Sequence, residues 1–299
     1  MYYSPGMKPS FSSLCVALCL TAVATALQGF AAESLPGTGP SFQGPIGLEI
    51  YSLRDSLSKD VPGSIKKIQN FGFKYLEIGA PYGGLTMENY TGLLKDAGLK
   101  PVSIHLQFDQ WRNDPEGAAR QAHDLGLEYA GCPWIPHSGS FTEKDCLAAA
   151  QVFNRAAKAL DKYGIKFFYH PHGYEFVPTA GGTLFDLLMK KTDQDVYYQM
   201  DVFWIAFPGQ DPVQLLNKYG KRWQLMHLKD LKNGVATGSL NPETDLRNDV
   251  AIGTGQIHWP ELLQTAKKLG IKYYFIEDES PEVESQIPVS MRYLEQIRW

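Results

Sequence analysis

Apolar residues in this chain fall in short runs, and the segments between them carry apolar positions at helical spacing. From residue 46 onward the two patterns alternate without a break. Continuous apolar runs with glycine or polar boundaries predict buried strands at 46–53 (IGLEIYSL), 73–80 (FKYLEIGA), 99–108 (LKPVSIHLQF), 127–134 (LEYAGCPW), 165–172 (IKFFYHPH), 196–204 (VYYQMDVFW), 223–230 (WQLMHLKD) and 271–279 (IKYYFIEDE). Amphipathic segments predict helices at 64–72, 87–98, 115–126, 142–164, 182–191, 211–220, 258–270 and 283–297. Thr142 has the chemistry of an N-cap, and Gly72 and Gly164 that of C-terminal stops. The joint glycine–Ile/Leu–lysine recurs at 98–100, 164–166 and 270–272, where a helix closes and the next strand begins at once. Eight strand–helix units in about 260 residues match the count and length of a (β/α)8 TIM barrel, so the expected fold is an α/β barrel in a single domain over 46–299. An open doubly wound sheet would carry a glycine-rich phosphate turn after its first strand, and YSLRDS is not one.

Residues 1–32 do not join this alternation. Lys8 precedes an apolar run at 14–27, and small residues follow at Ala31 and Ala32. That order reads as a secretory signal peptide. The run is shorter than the ~20 residues a membrane span requires. The expectation is a secreted or periplasmic protein with a Gly/Pro/Ser linker at 33–45 and no later membrane span.

Charge removes one class of partner. The chain has 28 Lys+Arg against 32 Asp+Glu, a net charge of −4, with no basic block. The electrostatic footprint of a nucleic-acid partner is therefore missing. Cys132 and Cys146 remain after the leader. A disulfide and two separate thiols both stay open, and no CxxC pair suggests a zinc knuckle.

Four strand runs in the C-terminal half end on metal-binding side chains: FFYHPHGYEF (167–176), VYYQMDVFW (196–204), LMHLKD (225–230) and YYFIEDE (273–279). In such barrels the active site lies at the C-terminal ends of the strands. Carboxylate and imidazole without thiolate suit one divalent ion, with Mn²⁺ or Mg²⁺ favoured and Co²⁺ or Zn²⁺ open. Such an ion can be chelated by two adjacent oxygens of a substrate. It would polarise a carbonyl and stabilise the enediolate left when the neighbouring carbon loses a proton. A base within hydrogen-bond reach is then required.

The ordered motifs GLEIYSLRD, FKYLEIG, YHPHGYEF, MDVFW, HLKD, GTGQIHW and FIEDE resemble the xylose isomerase-like family of sugar phosphate isomerases and epimerases over essentially all of 45–299. The resemblance implies metal ligands at Glu175, Asp201, His227 and Glu277. One departure stands at the fifth strand. Many family members end it on a glutamate, whereas here His170 holds that place and the nearest acid is Glu175, so His170 or His172 could coordinate instead. Catalytic roles are expected at His172, Glu175, Lys229 and Glu277. Substrate contacts are expected at Tyr51, Glu77, His105, His170 and Trp204.

Three functions follow. The first is an isomerase or epimerase acting by proton abstraction next to a sugar carbonyl. The second is a keto-glycoside lyase or inosose-type dehydratase using the same metal, which YHPH, HLKD and the export signal favour. The third is a non-catalytic sugar-binding barrel. The expected partner is a small sugar or keto-glycoside, with homo-oligomerisation open. An endonuclease of the apurinic-site type shares the barrel but needs more histidines and a basic cleft.

Overall fold

The computed structural model describes residues 35–299, so the leader read at 1–32 lies outside the described residues. Eight parallel strands form a closed barrel: β1 (Ile46–Glu49), β2 (Tyr75–Ile78), β3 (Lys100–His105), β4 (Tyr129–Cys132), β5 (Lys166–Tyr169), β6 (Val196–Asp201), β7 (Trp223–Leu228) and β8 (Tyr273–Ile276). They are neighbours in chain order, and β8 pairs back onto β1. Eight helices follow the strands: α1 (Val61–Phe71), α2 (Met87–Asp96), α3 (Pro115–Asp124), α4 (Glu143–Asp161), α5 (Leu184–Lys191), α6 (Pro212–Tyr219), α7 (Trp259–Leu269) and α8 (Val283–Gln296). This is the TIM barrel that the alternation predicts. No described helix is long and apolar enough to cross a membrane.

Local chemistry starts the helices where the sequence suggests. The Asp60 carboxylate accepts the Gly63 N–H at the start of α1, and Thr142 and Asp145 cap α4 reciprocally. Gly72 ends α1 at φ 88°, a left-handed conformation that glycine adopts without strain.

Strand alternation fills the barrel in layers. Tyr75, Tyr129, Tyr197 and Tyr273 line the N-terminal end. Phe168, Leu225 and Phe275 fill the middle. Two inward glycines make this possible. A Cβ at Gly131 would stand 2.6 Å from the Phe168 ring, and one at Gly47 would stand 2.7 Å from Phe275. Above the apolar layers the inward positions turn ionisable, at Glu49, Glu77, His105, Asp201 and His227. Register sets these side by side, Glu49 opposite Glu77 and Asp201 opposite His227.

The strands are shorter than the apolar runs. β1 stops at Glu49, and Ile50–Leu53 form a 3-10 turn leading into a short helix, Arg54–Leu57. β6 stops at Asp201, whose carboxylate caps the helical turn Val202–Ala206 by accepting the Trp204 N–H at 3.0 Å. Apolarity alone does not separate a strand from a buried turn of helix. Beyond β7, Asp230–Leu231 pair with Asp249–Val250 in a small hairpin that the sequence reading did not anticipate. Cys132 and Cys146 are free and buried, with burial pushing both thiols up to about 12.

Candidate metal centre and active-site cavity

Four side chains converge at the C-terminal ends of consecutive strands: His170 just past β5, Asp201 ending β6, His227 on β7, and Glu277 just past β8. Each offers one donor atom within 4.8 Å of the others. His170 Nε2 lies 3.4 Å from Asp201 Oδ2. His227 Nδ1 lies 3.2 Å from Glu277 Oε2 and 3.7 Å from Asp201 Oδ2. All four are buried.

These residues fit a divalent ion. The set is two carboxylates and two imidazoles without thiolate, on a rigid barrel rim. His170 Nδ1 is buried with no hydrogen-bond partner, a lone pair or proton unaccounted for by the protein alone. The charges are interlocked. Burial acts to raise the Glu277 carboxyl, but Lys229 and His227 outweigh it and hold it well below the ordinary range. Asp201 is likewise lowered against the effect of burial, through His170, His227 and Lys229. Burial opposes charge on His227, yet Glu277 and Glu77 raise it well above an ordinary histidine.

The structure places Glu175, expected as a ligand and catalytic residue, outside this group. Tyr169 points to the outer face of β5, opposite Phe168 and His170. The Glu175 carboxylate accepts the Tyr169 hydroxyl and the His172 backbone N–H. Gly173, at φ 93°, turns the chain so that Glu175 packs against that outer face. Burial outweighs these hydrogen bonds and pushes its carboxyl to about 7. His170, inward by the parity of β5, holds the place instead.

A cavity of about 490 Å³ opens above the group and is bordered by His170 and Glu277. Of the expected contacts, Tyr51, His105, His172 and Trp204 also line it. Tyr51 is 46% exposed, with the Arg54 guanidinium 4.6 Å from its ring centre. His172 presents a buried Nδ1 without a partner, and burial with neighbouring His170 lowers its basicity strongly. Besides Glu175, two residues expected to act on or touch the substrate do not border the cavity. Glu77 lies beneath it, fully buried. Lys229 is 2% exposed; its ammonium lies 3.3 Å from Glu277 Oε2 and pairs closely with Glu279, so it orients those acids.

Sequence reasoning assigned no role to Glu49, Gln199 or Glu279. Glu49 lines the cavity, and its Oε2 accepts the Tyr51 N–H at 2.6 Å. Burial, then Glu277 and Glu77, raise its carboxyl well above the usual range. The signal was an acid inside the apolar run IGLEI, the same signal that marked Asp201.

Fold and site together define an α/β barrel enzyme with a divalent-metal type of residue set at its catalytic face. The chain belongs to the xylose isomerase-like TIM barrel family, whose match runs over residues 65–297. It is 25% identical over 244 residues to an inosose dehydratase of Geobacillus kaustophilus, covering 74% of this chain and 73% of that protein. A shorter match to an inosose dehydratase of Clostridium beijerinckii reaches 32% identity over 96 residues, 32% of each chain. Among solved structures, a sugar phosphate isomerase/epimerase from Parabacteroides distasonis superposes with a TM-score of 0.70 at 26% identity, covering 84% of this chain and 93% of that one.

Proposed function

We propose that this protein is a divalent-metal-dependent lyase that removes a proton next to the carbonyl of a keto-sugar or cyclitol ketone and eliminates the oxygen substituent one carbon further on. The observation that carries the reading is the convergence of His170, Asp201, His227 and Glu277 beneath a cavity large enough for a sugar ring. The relatives named inosose dehydratase favour elimination as its outcome. Bound by those four residues, the ion would supply Lewis-acid polarisation of the ketone.

The chain's own residues supply the proton traffic. His172 borders the cavity, and its imidazole takes the proton from the carbon beside the carbonyl. The C–H electron pair moves into the carbonyl, giving an enolate. Its collapse forms a carbon–carbon double bond and breaks the bond to the β-oxygen. That oxygen leaves with a proton from Glu49, the cavity carboxyl that its surroundings keep protonated. Water or an alcohol departs, and no redox change occurs. Tyr51 and Trp204 wall the ring's apolar faces. In this proposal the leader at 1–32 exports the enzyme to where glycosides rather than sugar phosphates are met.

The structural likeness to a sugar phosphate isomerase/epimerase favours a second reading, in which the enolate is reprotonated without elimination. Incubation with inososes and 3-keto-glycosides in D2O, with and without chelator, tests both. Metal-dependent C–H exchange with release of water or aglycone is expected. Exchange with an intact skeleton selects isomerisation. Exchange insensitive to chelator, or none with any ketone, overturns the proposal.

A further inference from the structure

Directly beneath the metal group lies a second cluster, Glu77, His105 and His227, whose donor atoms are also close enough to suggest an ion. Its hydrogen bonds argue otherwise. Glu77 Oε1 accepts from His227 Nε2, and Glu77 Oε2 accepts from the Ser103 hydroxyl. Gln199 Nε2 spans both oxygens at 2.9 and 3.0 Å. His105 Nε2 also lies 3.3 Å from Oε1, so the fully buried carboxylate faces four donor groups, about as many as it has lone pairs, and keeps none for a cation.

The network does something more specific. A carboxylate only accepts, so each group facing it must donate. His227 therefore holds a proton on Nε2 with or without an ion, and Nδ1, the atom facing Asp201 and Glu277, is the one that would give up its proton to leave a lone pair for metal. The Gln199 amide is oriented by the same rule, with its NH2 toward Glu77 and its Oε1 toward His105 Nε2 at 3.0 Å. That oxygen accepts, so His105 also carries its proton on Nε2. Its Nδ1 has no hydrogen-bond partner among the described residues, and its side chain borders the cavity.

We propose that Glu77 is a positioning residue that sets two histidine tautomers at once: alone, making His227 an Nδ1 ligand, and together with Gln199, making His105 an acceptor-only contact for the substrate. The substrate atom opposite His105 must then be a donor, a hydroxyl and not the ketone oxygen. This assigns Glu77 a role different from the substrate contact expected of it. The inference rests on the metal reading of the site but not on the fate of the substrate.

The test uses Zn²⁺ as a diamagnetic probe on the full chain with ¹⁵N-labelled histidine. In the zinc-loaded protein both His227 and His105 are expected to show a protonated Nε2 and an unprotonated Nδ1, His105 being assigned by loss of its signals in His105→Gln. Glu77→Gln, which places an amide donor against His227 Nε2–H or Gln199, is expected to weaken Zn²⁺ binding by roughly 10–100-fold in chelator competition. Gln199→Met is expected to change zinc affinity less than threefold and, because Glu77 still faces His105 Nε2, to leave His105 protonated there. Zinc held through His227 Nε2, His105 protonated on Nδ1, or unchanged affinity in Glu77→Gln overturns the proposal. Failure of the wild-type chain to bind zinc overturns the metal reading itself and this inference with it.

Discussion

Glu175→Gln separates the place the sequence implied for this acid from the place the structure gives it. The wild-type carboxyl is buried against Tyr169 and His172 and held at about 7, against an ordinary value of 4.5. The native state thus retains a proton that the unfolded chain has already lost between those values. Its stabilising contribution is complete below pH 4.5 and declines as pH rises through about 7. Above that range the decline amounts to roughly 3 kcal/mol, at about 1.4 kcal/mol per pH unit. Glutamine keeps the shape and an acceptor for Tyr169 but does not titrate. Every other group titrates alike in both proteins, so the difference between variant and wild type isolates this one. The variant's relative stability should rise by about 3 kcal/mol from pH 4.5 to pH 8, or roughly 6–12 °C in melting temperature for a domain of this size. Paired thermal melts across that range measure it, with metal content read on the same samples. A flat difference, or one that falls with pH, refutes the burial argument. Loss of metal in the variant would return Glu175 to the ligand set.

The remaining predictions probe the site and its support. Asp201→Ala and His170→Ala should each lose bound metal at least tenfold, measured by elemental analysis after dialysis, whereas Glu175→Gln should not. Metal removal should lower the melting temperature of the wild type, because an ion at 100 times its dissociation constant stabilises by about 2.7 kcal/mol; Asp201→Ala should show no such shift. Asp230 accepts hydrogen bonds from the Gly253, Gly255 and Ile257 N–H groups and the Trp259 indole, so it clamps the GTGQIHW segment to the end of β7. Asp230→Ala strands four donors and should cost about 4 kcal/mol or more in denaturant unfolding. Gly131→Ala drives a methyl to 2.6 Å from the Phe168 ring and should destabilise by about 1–3 kcal/mol in the same assay.

The barrel was legible because two periods alternate eight times and each helix end is written in local chemistry, as at Thr142 and Gly72. The members of the candidate metal group on regular strands were legible for the same reason. Asp201 and His227 lie inside apolar runs, where a charge needs a partner. Glu277 and Glu279 share a parity that persists beyond the last hydrogen-bonded residue of β8, and both reach the cavity. Parity failed where the strand had ended. Glu175 stands five residues past His170 across a left-handed glycine, and no alternation rule carries over such a turn. Lys229 has the right face but sits behind the acids it pairs with. Gln199 and Glu49 went unread for another reason: their roles depend on the neighbouring strands' registers, which bring Glu49 beside Glu77 and set Gln199 below His105.

Charge balance gives the fifth-strand departure a physical sense. The resemblance implies three carboxylates and one histidine, a set that overcompensates a divalent ion by one charge. With His170 in place, Asp201 and Glu277 alone carry negative charge toward the ion. Lys229, close to both acids past β8, pairs with Glu279. Glu49 is kept protonated, and Glu77 is held as an anion at about 2: burial works against its charge, but His105, His227 and Ser103 outweigh it. The layer would then be nearly neutral with a dication present, and without one Asp201 and Glu277 rely on His170, His227 and Lys229 for compensation. A neutral imidazole in place of a carboxylate also leaves more positive charge on the ion to polarise a substrate oxygen. In the proposed reaction a histidine at this rim position would leave the ion a stronger electrophile for proton abstraction, with His172 as the general base.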